Sequence, residues 1–245
     1  MWFQFAGSSW SRSGRPSWSY GKSSRRMKIG RSSAVVTMLC AVGLALVATC
    51  SPAVERPTNI VAFGDSLTAG YGLAANEAFP VQLQRALDAK GLAVNVVNAG
   101  VSGDTSAGGL SRLDWSVPDG TDAVILELGA NDALRGFDPE ITRKALETML
   151  RRLKERKISV LLCGMVAPPN LGAEYGRAFN SIYPDLAAQT GAILYPFFLA
   201  GVAADPKLNQ RDGLHPTAAG VAVIVERILP QVEQLIARAK ASHGP

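Results

Sequence analysis

Histidine and cysteine are scarce in this chain: two and three residues respectively among 245. No histidine has a partner at zinc-ligand spacing, so neither a metal nor a cofactor is expected. Cys40 and Cys50 precede the folded part and Cys163 falls within an apolar run, which leaves no disulfide framework. Cys163 instead reads as a small buried apolar side chain. Charge is also sparse, at 18% of residues, and its formal balance of +5 is unevenly spread. Residues 1–57 hold eight of the 25 Lys and Arg but one acid, Glu55; residues 58–245 hold 17 bases and 19 acids. The basic isoelectric point therefore belongs to the leader, and no nucleic-acid partner is expected for the rest. No internal repeat is visible.

What is present begins with that leader. Residues 1–26 are rich in Ser, Gly, Arg and Trp without apolar periodicity, and read as disordered or as an upstream start that is not translated. Met27, Lys28 and Arg31 then lead into 16 uncharged residues, Ala34 to Thr49. A membrane span needs ~20, so this run fits the core of a signal peptide over residues 27–50 better than a membrane anchor. Its end, Leu46-Val-Ala-Thr-Cys50, is similar to a bacterial lipobox, with Thr49 as the departure. Residues 51–57 read as a linker. The expectation is an exported protein, periplasmic, either free or held at the membrane through a lipidated Cys50, and monomeric.

From residue 58 to about 240 apolar strands and amphipathic helices alternate. Asn59-Ile-Val-Ala-Phe-Gly-Asp-Ser-Leu-Thr68 reads as a strand buried on both faces that runs into a serine. Further strands are expected at Val94–Val97, Ala123–Leu128, Ser159–Met165 and within Ala192–Phe198. Helices are expected at Phe79–Lys90, Thr105–Leu113, Pro139–Lys157, Tyr175–Gln189 and Thr217–Ala239, the last kinked at Pro230. In Pro139–Lys157 the spacing turns Ile141, Ala145, Met149, Leu150 and Leu153 inward. Strict alternation predicts an α/β fold with a five-stranded parallel sheet and helices on both faces.

In such a sheet the strands' carboxyl ends share one edge, where ligands bind. Four loops there carry reactive residues. Ser66 leaves the first strand. Gly103, in Ser102-Gly-Asp-Thr-Ser106, offers a backbone N–H that no Cβ obstructs. Asn131 offers a side-chain amide, with Asp132 placed to cap or brace its loop. His215 follows Asp212 by three residues, a spacing that lets the carboxylate fold back onto Nδ1 and leaves Nε2 for a serine proton. Taken alone, the Ser66 stretch reads equally well as a turn and the Gly103 and Asn131 loops read better as turns; the combination is what nucleophilic catalysis requires. Gly70-Tyr-Gly-Leu-Ala-Ala75 matches a dinucleotide pattern but starts too far from the strand, and no acid ends the second strand.

Gly64-Asp65-Ser66-Leu67, Gly103, Gly129-Ala130-Asn131-Asp132 and Asp212-Gly213-Leu214-His215 occur in the order of the four blocks of the SGNH hydrolases, or GDSL esterases, which residues 58–240 resemble. Ser102–Ser106, Leu134-Arg-Gly-Phe137 and Tyr195-Pro-Phe-Phe198 are similar to the bacterial periplasmic branch described as acyl-CoA thioesterase I, lysophospholipase and arylesterase. The resemblance implies a flavodoxin-like three-layer α/β/α sandwich. It also implies a catalytic triad of Ser66, His215 and Asp212, with an oxyanion hole from the Ser66 and Gly103 N–H groups and the Asn131 amide. The implied substrates are small-molecule or lipid esters: aryl esters, short to medium acyl esters, lysophospholipids and acyl thioesters. A carbohydrate O-acetylesterase of the same superfamily, or an exported acyl- or glycan-binding lipoprotein without activity, are the alternatives. Leu171, in the Pro-rich loop after the fourth strand, is expected at the lip of an acyl groove.

Overall fold

The computed structural model describes residues 56–242. The expected leader, the expected signal peptide with its lipobox-like end, and most of the expected linker lie outside the described residues. The elements in order are β1 (Thr58–Gly64), α1 (Ser66–Ala69), α2 (Phe79–Ala89), β2 (Val94–Gly100), α3 (Ser106–Ser116), β3 (Ala123–Glu127), α4 (Ala130–Leu134), α5 (Pro139–Glu155), β4 (Ser159–Cys163), α6 (Ala173–Asn180), α7 (Ile182–Thr190), β5 (Ile193–Tyr195) and α8 (Ala218–Ser242).

The five strands form one parallel sheet in the order β2-β1-β3-β4-β5. β3 and β4 are buried along their whole length, and β1 nearly so, as their unbroken apolar runs require. β2 is an edge strand, with Val97 exposed. It runs three residues beyond the expected Val97, because its register with β1 continues to Phe63 against Ala99 and Gly64 against Gly100. Helices supply the rest of the core through Phe79, Leu83 and Leu87 of α2, Met149 and Leu153 of α5, and Ile224, Ile228 and Leu235 of α8.

Local chemistry explains where the helices depart from expectation. α5 starts on an Asp138 cap whose carboxylate accepts the Glu140 N–H at 2.9 Å, with Pro139 at its first position. Its inward stripe is Thr142, Ala145, Leu146, Met149, Leu150 and Leu153; Ile141, expected inward, is exposed. The expected helix Tyr175–Gln189 is two helices that meet at Ser181. Pro184 accounts for this, since a continuous helix would press its ring against the Asn180 carbonyl. α8 continues through Pro230, which sits on the exposed side, where the freed carbonyl can be hydrated. The sequence pattern missed α1 and α4, of four and five residues, because they are too short for periodicity.

Candidate active site

β1 ends in Gly64, and the next two residues turn it into α1. Asp65 caps that helix: its Oδ1 accepts the Leu67 N–H at 3.0 Å. Ser66 is the first helical residue and is almost wholly buried, yet it lines a cavity. Its Oγ lies 2.9 Å from Nε2 of His215.

His215 arrives from the far end of the chain, on the loop between β5 and α8. An antiparallel bridge between Asn209 and Pro216 closes the base of that loop. Within it the Gln210 N–H donates to the His215 carbonyl at 2.7 Å. The Gln210 side-chain amide donates to the carbonyls of Tyr71 and Pro216 at 2.7 and 3.0 Å, tying the loop to the segment after α1. The Tyr71 ring leans on the imidazole with centroids 4.6 Å apart.

Asp212 does what its spacing predicts. Its Oδ1 accepts the N–H groups of Leu214 and His215 at 2.9 and 3.0 Å, and its Oδ2 lies 2.7 Å from His215 Nδ1. The backbone N–H groups of His215 and Leu214, then the imidazole, hold the Asp212 carboxyl down at about 2. A carboxylate ionised at every working pH fixes the proton on Nδ1 and leaves the Nε2 lone pair facing Ser66.

The loops after β2 and β3 close on the same point. Asp132 braces both: its carboxylate accepts the Ser106 N–H at 2.8 Å, the Ser106 hydroxyl at 2.5 Å and the Thr142 hydroxyl at 3.1 Å. The Asn131 amide nitrogen donates to Asp65 Oδ2 at 3.1 Å and to the Asp104 carbonyl at 2.9 Å. Both amide hydrogens are thus engaged, a detail the sequence does not carry. The amide is aimed by the residue next to the serine on one side and by the residue next to Gly103 on the other. Below it Glu127, fully buried at the end of β3, accepts the Thr68 hydroxyl at 2.7 Å and the Asp65 N–H at 3.3 Å. Burial pushes Asp65 up to about 6. Burial, then the neighbouring Asp65 charge, pushes Glu127 well above the usual carboxylate range.

A cavity of about 500 Å³ opens beside Ser66 and His215. Its wall is mostly apolar and includes Leu134, Met165, Val166, Phe197, Leu199 and Leu214. The loop after β4 contributes Ala167, Pro168 and Pro169, as expected for a lip. Leu171 does not line the cavity. Pro169–Leu171 forms a single 3-10 turn that swings this side chain toward Gly136, in the loop after α4. The half-exposed apolar residues that line the cavity are instead Leu134, Val166 and Leu214.

Residues 62–223 match the GDSL-like Lipase/Acylhydrolase family. The chain belongs to this family. Esterase TesA of Pseudomonas aeruginosa is 39% identical over 194 residues, which cover 79% of this chain and 96% of that protein. The Thioesterase 1/protease 1/lysophospholipase L1 of Escherichia coli is 38% identical over 179 residues, 73% of this chain and 85% of the relative. The crystal structure of AlinE4, an SGNH-hydrolase family esterase, superposes with a TM-score of 0.63 at 48% identity, covering 74% of this chain and 97% of that one. The SGNH hydrolase fold expected from the sequence is the fold observed.

The structure also brings in residues that the sequence reading of this GDSL-family chain left out. Glu127 had a signal, as an acid closing an otherwise apolar strand. Arg112 had another, as a cation on the same α3 face as Gly109 and Leu113, both buried. Gln210 had none, because its partners are set by how two distant loops meet.

Proposed function

We propose that this carboxylic ester hydrolase works through an acyl-enzyme on Ser66. The observation that carries the reading is the continuous line from Ser66 Oγ to His215 Nε2 at 2.9 Å and from His215 Nδ1 to Asp212 at 2.7 Å, at the mouth of an apolar cavity. His215 Nε2 takes the hydroxyl proton as Ser66 Oγ bonds to the ester carbonyl carbon. Asp212 stabilises the imidazolium that results. The Ser66 and Gly103 N–H groups and the Asn131 amide receive the negative charge on the carbonyl oxygen. For Asn131 this means sharing a hydrogen now donated to Asp104 or Asp65. Collapse of the tetrahedral adduct breaks the ester C–O bond, and the leaving alcohol or phenol takes the proton from His215. Water, deprotonated by the same imidazole, then releases the acid and restores Ser66.

The cavity suits an acyl chain of short to medium length, and a mouth open to solvent suits varied leaving groups, including aryl alcohols, lysophospholipids and thiols. The matched relatives carry the names arylesterase, thioesterase and lysophospholipase, which supports that range. The proposal includes export, with Cys50 as the first mature residue and a site for a lipid, and a monomeric enzyme.

The test uses the full-length chain, a fluorophosphonate probe and p-nitrophenyl butyrate. Labelling maps to Ser66, and Ser66→Ala abolishes both labelling and turnover while its melting temperature stays near wild type. A folded Ser66→Ala protein that still hydrolyses the ester near the wild-type rate overturns the assignment.

A further inference from the structure

Arg112 is a buried cation in a place where the triad does not need one. Its side chain is 7% exposed. It projects from α3 into the angle between the ends of β1 and β2, and four of its five N–H donors are engaged. Nε donates to Asp104 Oδ2 at 2.5 Å. One terminal nitrogen donates to the Ala99 carbonyl at 2.9 Å and to the Ser116 hydroxyl at 3.2 Å. The other donates to the Gly64 carbonyl at 2.8 Å. The Phe63 ring of β1 lies 4.1 Å from Cζ, close enough for a cation–π contact.

These acceptors are not scattered. Gly64 stands two residues before Ser66. Ala99 is the penultimate residue of β2, just before the exposed loop that carries Gly103. Asp104 is Gly103's chain neighbour, and its own carbonyl accepts one hydrogen of the Asn131 amide. One rigid planar group therefore spans the exit of the nucleophile's strand, the entry of the Gly103 loop and the residue that steers Asn131. Every proposed oxyanion donor, Ser66 N–H, Gly103 N–H and the Asn131 amide, is within two residues or one hydrogen bond of a residue that Arg112 holds. The Gly103 loop is otherwise exposed, with Arg135 reaching its carbonyl from the solvent side at 2.9 Å.

We infer that Arg112, with Asp104, is a positioning residue that sets the mutual geometry of the oxyanion donors. The inference rests on the acyl-enzyme reading of Ser66 above. Arginine is required by shape, because its donors leave one plane in fixed directions toward three chain segments. Lysine keeps the charge but presents a single point with three donors and cannot span them. A misplaced donor costs the state in which the oxyanion exists and leaves ground-state binding alone.

The experiment compares the full-length wild type with Arg112→Lys, using p-nitrophenyl butyrate for turnover. Butylboronic acid serves as the tetrahedral mimic and butyrate as the ground-state ligand. Removing one whole oxyanion donor costs ~10²–10³ in kcat, so displacing donors without deleting them should cost ~10–10². The expected result is that fall in kcat with KM changed by less than about twofold, and a matching rise in the boronate inhibition constant with butyrate inhibition unchanged. If Arg112→Lys does not fold, Asp104→Asn removes the partner charge from the same contact and is read by the same measurements. Full kcat in either folded variant overturns the inference. So does a fall in kcat that boronate affinity does not share, which is what a merely structural arginine gives. The two readings separate cleanly. Turnover by Ser66→Ala sinks the acyl-enzyme, whereas an inactive Ser66→Ala beside a fully active Arg112→Lys sinks only the role of Arg112.

Discussion

Glu127 is fully buried, and its Oε1 has no hydrogen-bond partner among the described residues. Its neighbours are Asp65, the Thr68 hydroxyl, Cys163 opposite it on β4 and, farther off, the Tyr183 phenol. None of these is a cation, so the ionised form has nothing to offset its desolvation. A carboxyl whose folded value lies above its unfolded one favours folding fully only below the unfolded value, near ~4.3 for Glu. That contribution is lost as pH rises through the folded value. Asp65, raised to about 6, acts in the same direction. Glu127→Gln keeps an oxygen for Thr68 and the Asp65 N–H but cannot ionise. The melting temperature of the wild type should therefore fall, relative to Glu127→Gln, as pH rises from 4 to 9. A difference between the two proteins that stays flat over that range removes the argument. The contact line from Ser66 through His215 to Asp212 was legible because Asp212 and His215 are three residues apart and Ser66 sits in a short block. The Asp65–Glu127 pair was not, because only the register that sets Gly64 against Glu127 brings them together.

At the scale of elements, strand and helix identities followed from periodicity, and the errors lie at boundaries and in short turns. α8 shows what periodicity leaves out. It starts three residues after His215, and the Thr217 hydroxyl accepts the Gly220 N–H at 3.2 Å while donating to the Leu208 carbonyl, also at 3.2 Å. Gly220 faces the Leu208 carbonyl so closely that a Cβ would overlap that oxygen, and it would stand 3.1 Å from Pro216 Cβ. Helix propensity favours alanine over glycine by ~1 kcal/mol. Overpacking costs ~1–3 kcal/mol, and the obstacle here is backbone that cannot rotate away. Sterics should win. The Gly220→Ala chain should be less stable by about 1–2 kcal/mol, a few degrees in Tm for a domain of this size. The segment that must yield carries His215, so kcat should fall more than KM rises. Thermal scanning and steady-state kinetics on the full-length variant check both. A more stable protein with unchanged kcat would mean that the helix start does not set the histidine's position.

For the whole molecule, alternation predicted a parallel sheet and one catalytic edge, whereas the strand order 2-1-3-4-5 needed the structure. The chain adds β2 on one side of β1 and then crosses back to place β3 on the other, which makes a switch point at the end of β1. Ser66 stands at that switch, flanked by the loops from β2 and β3, and His215 closes over it from the other end of the chain. Charge is partitioned along the chain in a different way, with eight bases and one acid in residues 1–57 against a slight acidic excess in the remainder. A basic start, 16 uncharged residues and a cysteine are what the export proposal rests on, and every proposed catalytic residue lies beyond Cys50. Expression of the full-length chain in a Gram-negative host should therefore yield a mature protein whose intact mass begins at Cys50. Should the cysteine be acylated, that mass carries the added lipid and esterase activity partitions with membranes. One acyl chain binds a bilayer only marginally, so a firmly membrane-bound enzyme requires more than one chain on that residue. Full activity in the cytoplasm on a chain that still starts at Met27 would overturn export while leaving the chemistry of Ser66 untouched.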